Sequence, residues 1–217
     1  MFLWLNRGKS MKTIYIVRHG ETDWNRQGRY QGTTDVPLNQ VGRDQAKACA
    51  RALEGVHFDR VVSSPLERAF VTAQTICHKR DLDIQVDDRL KEFNFGHWET
   101  KHVDEIEALW PGMIHSMYQE PASIRIPGGE SFQELQVRAW AGLKDQIDRA
   151  EDGETILVTA HGVTNRMLIC KLFDLPLNFA WSMSQGNTCI NRIFYQGMEK
   201  GQHNILNLLN DTSHLDG

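Results

Sequence analysis

The apolar run Ile14-Tyr15-Ile16-Val17 leads directly into Arg18-His19-Gly20-Glu21-Thr22, and this junction restricts the fold more than any other stretch of the chain. A short β-branched run that ends in a glycine turn reads as a buried strand delivering its last residues to a loop. Thr155 to Thr159 is a second run of this type, followed by His161-Gly162. Arg60-Val61-Val62-Ser63 and Ile84-Gln85-Val86 read as further short strands, and Asn187 to Tyr195 and His203 to Leu209 as closing strands. Between them, helices are predicted over Leu38 to Glu54, from Pro65 in a first turn to about His78, over Val103 to Leu109, and from Gly162 to about Phe173. Ser131-Phe132-Gln133-Glu134 is a capping box that opens one more helix, to about Ala150. Strands alternating with long helices specify an α/β fold with a doubly wound, mostly parallel sheet flanked by helices.

The 217 residues fit a single domain with a full core, and no repeat, low-complexity tract or linker divides them. The expected domain is 11–217, with 1–10 a disordered lead-in. Phe2-Leu3-Trp4-Leu5 is too short for a secretory apolar region and far too short to span a bilayer. A net charge of −4 without a basic block argues against nucleic acid and against an anionic membrane as partners. Cys49, Cys77, Cys170 and Cys189 are scattered, as expected of reduced structural thiols in a cytoplasmic protein.

In such sheets ligands bind outside the carboxyl ends of the strands. Arg18-His19, Ser63-Ser64 and His161 each follow a strand, so loops distant in sequence converge on one edge. An imidazole with a fixed positive neighbour suits the capture of a phosphoryl group. The attacking nitrogen must be unprotonated, the equatorial oxygens need cations and donors, and the leaving alkoxide needs a proton. His19 supplies the nucleophile and Arg18 one guanidinium suited to phosphate. Arg68, in the first turn of its helix, supplies the second; His161, with Gly162 behind it, adds a further donor. Thr22 and Asn25 are neutral donors on the loop after His19, and Glu92 is the candidate acid. Ser131 and Glu134 are read as a helix cap, with a substrate contact from Ser131 or Glu130 secondary. His97, His102, Asp104 and His115 show no ligand spacing, so neither a metal site nor a cofactor is expected. Trp98, Trp110, Trp140 and Trp181 are read as core or pocket wall.

This set resembles the histidine phosphatase superfamily, also called the phosphoglycerate mutase-like family. The resemblance covers nearly the whole chain from Lys12. Its anchors are the Arg18 to Thr22 motif with Asn25, Gln31-Gly32, Asp35 with Leu38 and Gly42, and Ser63-Ser64-Pro65-Leu66-Glu67-Arg68. Glu92-Phe93-Asn94-Phe95-Gly96, Pro127-Gly128-Gly129-Glu130-Ser131 and Ala160-His161-Gly162 complete them. The resemblance implies that His19 is the phosphohistidine, that Arg18, Arg68 and His161 form the rest of the phosphate pocket, and that Glu92 is the proton donor. It also places Gln31 and Gly32 beside the substrate, and Thr22, Asn25 and Gly162 are expected to bind substrate with them.

Within that family the segment from Glu92 to Glu99 looks like the phosphatase branch, and Ala69-Phe70-Val71 stand where mutases usually carry another arginine. One departure is Thr100-Lys101, where many phosphatase relatives have a small residue and glycine. The expected function is a metal-independent phosphomonoesterase acting on a small phosphorylated substrate, most active at mildly acidic to neutral pH. A cofactor-dependent phosphoglycerate mutase is the alternative, followed by a non-catalytic phospho-ligand binding protein. Specificity is expected from His97 to Ile126, and a homodimer is allowed.

Overall fold

Ile14, Tyr15, Ile16 and Val17 are all buried, which a strand covered on both faces requires. In the computed structural model, which describes residues 11–199 and 201–216, they lie in β1 (Lys12–Arg18); the expected lead-in at 1–10 is outside the described residues. β2 (Arg60–Ser63), β3 (Ile84–Val86) and β4 (Thr155–Ala160) run parallel to β1. On the other side β5 (Ile190–Tyr195) pairs antiparallel with β1, and β6 (Ile205–Asp211) antiparallel with β5, so the six-stranded order is β3-β2-β4-β1-β5-β6.

Alternation along β1 divides the core in two. Ile14 and Ile16 pack with Ile156 and Val158 of β4 against α6 (Phe132–Arg149) and α7 (Gly162–Leu172). Tyr15 and Val17 pack with Leu157 against α2 (Gln40–Ala52) and α3 (Glu67–Cys77). Side chains at successive strand positions face opposite ways, so one β-branched run serves both layers. This is the doubly wound α/β architecture expected. All four cysteines are buried and unbonded to one another. Among the described residues no helix is long and apolar enough to cross a membrane.

Local differences have local causes. Pro65 precedes α3 instead of opening it; Leu66 is the N-cap, its N–H taken by the Ser64 hydroxyl at 3.3 Å. Thr22 caps a short helix, α1 (Asp23–Gln27), inside the stretch read as a loop. Beyond α4 (Val103–Leu109), Gly112 takes a left-handed φ of 77° and starts α5 (Met113–Gln119), which the Pro111-Gly112 break conceals. The Ser131 to Glu134 capping box forms as predicted, with Ser131 Oγ accepting from the Glu134 N–H.

Candidate active site

The carboxyl ends of β1, β2 and β4 bring Arg18-His19, Ser63-Ser64 and His161 to one edge of the sheet. The turn after β1 is close-packed: a Cβ on Gly20 would lie 2.3 Å from the Gly42 carbonyl oxygen, and one on Gly42 would lie 2.1 Å from that of Glu21. Glycine at both positions lets this loop rest on the start of α2. Residues just before β5 hold the other side, because the Thr188 N–H and the Asn187 side chain donate to the His19 carbonyl oxygen at 3.2 and 3.1 Å.

His19 is almost fully buried, with Nδ1 2.7 Å from the Gly20 carbonyl oxygen. A carbonyl only accepts, so Nδ1 carries the hydrogen and the lone pair is left on Nε2. The hydrogen bond that His19 makes among the described residues is through Nδ1 alone, and the ring lines a cavity. Burial, then Arg68 and Arg18, hold the imidazole well below its ordinary pKa, which keeps it neutral at physiological pH.

Arg18 donates through Nη1 to the Gln185 carbonyl oxygen at 2.6 Å, leaving Nε buried without a partner. Arg68 is fully buried and donates to the Thr34 and Gly32 carbonyl oxygens, each at 2.8 Å, and its Nε is also unpartnered. Burial brings the Arg68 guanidinium down to about 10 against the pull of Glu92 and Asp35, so it stays charged at neutral pH. The His161 ring centroid lies 5.2 Å from that of His19, with Nε2 2.8 Å from Ser64 Oγ and Nδ1 buried and unpartnered. Burial and Arg68 lower its pKa as well. If Ser64 gives its hydroxyl hydrogen to Nε2, Nδ1 is left as an unmet donor. Unsatisfied buried nitrogens on Arg18, Arg68 and His161 are costly to leave so; Arg18 and Arg68 line the cavity with His19, whereas His161 is fully buried behind His19 and does not line it.

Glu92 lies against the N-terminus of α7. Oε1 accepts the Phe93 N–H at 2.9 Å and the Thr164 N–H at 3.1 Å, while the single Thr164 hydroxyl hydrogen is shared between Oε1 at 3.1 Å and the nearer Lys91 carbonyl oxygen at 2.9 Å. Oε2 accepts only the Val163 N–H, at 3.2 Å, and so retains the free lone pair on which a proton can ride. Arg138, which sequence reasoning missed, fixes this loop by donating to the carbonyl oxygens of Arg89, Lys91 and Glu92, each at 2.8 Å. It also pairs with Glu130 at 2.6 Å. Glu130 is thereby engaged in structure, and Ser131 caps α6.

The cavity has a volume of about 210 Å³. Arg18, His19, Arg68 and Glu92 form its polar end; Asn25, Arg29, Tyr30, Gln31 and Gly32 form one side. Phe95, Met117, Tyr118, Val163 and Trp181 form an apolar wall. Trp181 holds its part of that wall to α5 by donating to the Met117 carbonyl oxygen at 3.0 Å, and its ring lies 4.8 Å from that of Tyr118. Of the expected substrate set, Asn25, Gln31 and Gly32 line the cavity and Thr22 does not. Thr22 is fully buried; as an N-cap it accepts the Asn25 N–H, and its hydroxyl donates to Gln31 Oε1 at 2.8 Å. It thereby orients Gln31 and shapes the turn that carries Asn25. Gly162 lies behind the polar end, where a Cβ would come within 3.4 Å of Arg18 Nε. Met117 and Tyr118 escape a reading of the sequence because the Pro111-Gly112 break conceals α5, whereas Trp181 lies in the wall, one of the two places the sequence allows it. Among the described residues, no group of three or more His, Cys, Asp or Glu side chains is placed to hold a metal ion.

Known proteins resemble this chain in sequence and in fold. The model of a family described as "Histidine phosphatase superfamily (branch 1)" matches residues 14–211. Phosphoserine phosphatase 1 of Hydrogenobacter thermophilus is 33% identical over 205 residues, which cover 94% of this chain and 95% of that protein. A probable phosphoglycerate mutase, GpmB of Enterobacter sp., is 34% identical over 209 residues, covering 95% and 96%. Among solved structures, Bacillus stearothermophilus YhfR superposes with a TM-score of 0.85 at 34% identity, covering 94% of this chain and 99% of that one.

Proposed function

Because this chain belongs to the histidine phosphatase superfamily, branch 1, we propose that it hydrolyses a small phosphomonoester through a phosphohistidine on Nε2 of His19, without a metal ion. The observation that carries this reading is the open Nε2 lone pair among the unmet donors of Arg18, Arg68 and His161. Those donors and charges receive the phosphoryl oxygens, and positioning with electrostatics does most of the catalytic work in such transfers. Nε2 attacks phosphorus as the ester P–O bond breaks, and protonated Glu92 gives its proton from Oε2 to the departing alkoxide. Glu92, now a carboxylate, takes a proton from the water that attacks the phosphohistidine. The P–N bond breaks, and inorganic phosphate leaves with His19 neutral again.

The 210 Å³ cavity favours a compact alcohol portion. Phosphate release in EDTA from a panel of esters, including 3-phosphoglycerate and phosphoserine, tests the reading. Release by the wild type and none by His19→Ala is the expected result. Exchange of phosphoryl groups between phosphoglycerates without net release would replace it with a mutase.

A further inference from the structure

Glu99 does not line the cavity, yet its carboxylate is saturated by one short loop. Oε1 accepts the Thr33 N–H and hydroxyl at 2.8 and 3.0 Å, and Oε2 accepts those of Thr34 at 3.0 and 2.6 Å. A carboxylate offers about four acceptor sites, and here each has a donor. The approach is so close that a Cβ on Gly32 would fall 2.1 Å from Glu99 Oε1, and Gly32 itself has a left-handed φ of 55°. The carbonyl oxygens presented by this same loop, those of Gly32 and Thr34, accept both terminal nitrogens of Arg68. Glu99 also reinforces the charge on the Arg68 guanidinium.

From this relay, and resting on the phosphatase reading above, the geometry points to Glu99 as a positioning residue that aims Arg68 at the phosphoryl group. Arg68 comes from α3 and reaches the site fully buried, so the direction of its planar fork depends on what its nitrogens bond. Two carbonyl oxygens set that direction, and Glu99 sets the carbonyl oxygens. The adjoining main chain continues the clasp: the Thr100 N–H donates to the Tyr30 carbonyl oxygen at 2.8 Å and the Tyr30 N–H to that of Lys101 at 3.0 Å. Glutamine is a poor substitute for Glu99, because its amide group would meet the donors of one threonine with donors of its own.

The test is a double-mutant cycle read by calorimetric binding of orthovanadate, with Glu99→Gln made in the wild-type and in the Arg68→Met background. Wild-type activity on the ester panel is measured alongside. Glu99→Gln should weaken orthovanadate binding by about tenfold when Arg68 is present and by less than about twofold when it is absent, since coupled residues are not additive. Thr34→Val, a milder change that removes one hydroxyl donor, should weaken binding less but show the same dependence on Arg68. That variant keeps the test valid if Glu99→Gln folds poorly. Equal losses in both backgrounds would overturn the relay and leave Glu99 a structural tie. A wild type that neither binds orthovanadate nor releases phosphate would overturn the phosphatase reading, and the relay with it. Activity with unchanged binding in Glu99→Gln would overturn the relay alone.

Discussion

At the scale of single residues, the site depends on which nitrogen or oxygen is left free. Glu92 Oε1 has two backbone N–H donors and Oε2 has one, so the proton transfer assigned to Oε2 should be lost in Glu92→Gln without loss of the loop. Its kcat is expected to fall by roughly 10²–10⁴-fold, measured with an ester whose leaving alcohol is basic. An ester of an acidic phenol needs less protonation and should lose much less. The buried histidines make a separate prediction. His19 and His161 are held neutral with pKa values well below the ordinary value, while unfolded imidazoles take up protons near pH 6.5. The unfolded state then binds more protons, so stability is retained above about pH 6.5 and falls below it, by up to about 1.4 kcal/mol per pH unit for each histidine. Urea unfolding at pH 7, 6 and 5 measures this, and a flat midpoint would contradict it. His19, Arg18, Arg68, His161 and Glu92 were legible because each follows a strand or lies in a dense motif. Arg138 was not, since an arginine within a long helix looks the same whether it meets solvent or three carbonyl oxygens.

Elements were legible where a periodic apolar pattern ran into a clear stop. The strands from Ile14, Arg60, Ile84 and Thr155 and the helix capped by Ser131 fall near their expected places. The stretch from His97 to Ile126 was harder, because its structure rests on backbone packing that leaves little periodicity. A Cβ on Gly96 would lie 2.4 Å from the Gly128 carbonyl carbon, and the His97 N–H donates to the Pro127 carbonyl oxygen at 2.9 Å. Such loop-on-loop contacts join segments that show no pattern individually. Thr100, flagged as a departure from family pattern, has a φ of 76° in this stretch. A β-branched residue in the left-handed region is strained by about 1–3 kcal/mol. Thr100→Gly should therefore unfold later in urea, by about 1 kcal/mol once the flexibility glycine adds to the unfolded chain is subtracted. Unchanged or lower stability would mean that the Thr100 side chain contributes contacts that outweigh the strain.

Across the whole molecule, a chain of net charge −4 concentrates guanidinium groups and unmet donors at one sheet edge. That arrangement is costly when empty and favourable when an anion binds, so ligand and fold should be linked. Orthovanadate at about a hundred times its dissociation constant should add about 2.7 kcal/mol, or a rise in Tm on the order of 5–10 °C. Scanning calorimetry checks this, and His19→Ala, which keeps the arginines, should retain part of the rise. The fold class was legible from alternation alone, but the strand order was not, because pairing partners are set by which faces the helices cover.

That strand order has a consequence for synthesis on the ribosome. β1 emerges first, yet its neighbours are β4 and β5, with Thr13 opposite Thr155 and Phe194. At about 5–20 residues per second, the Ile14 to Val17 run waits on the order of ten seconds before either partner exists. During that interval the nascent chain carries the apolar Ile14 to Val17 run without either neighbour, and His161, whose ring will lie beside that of His19, has yet to be made.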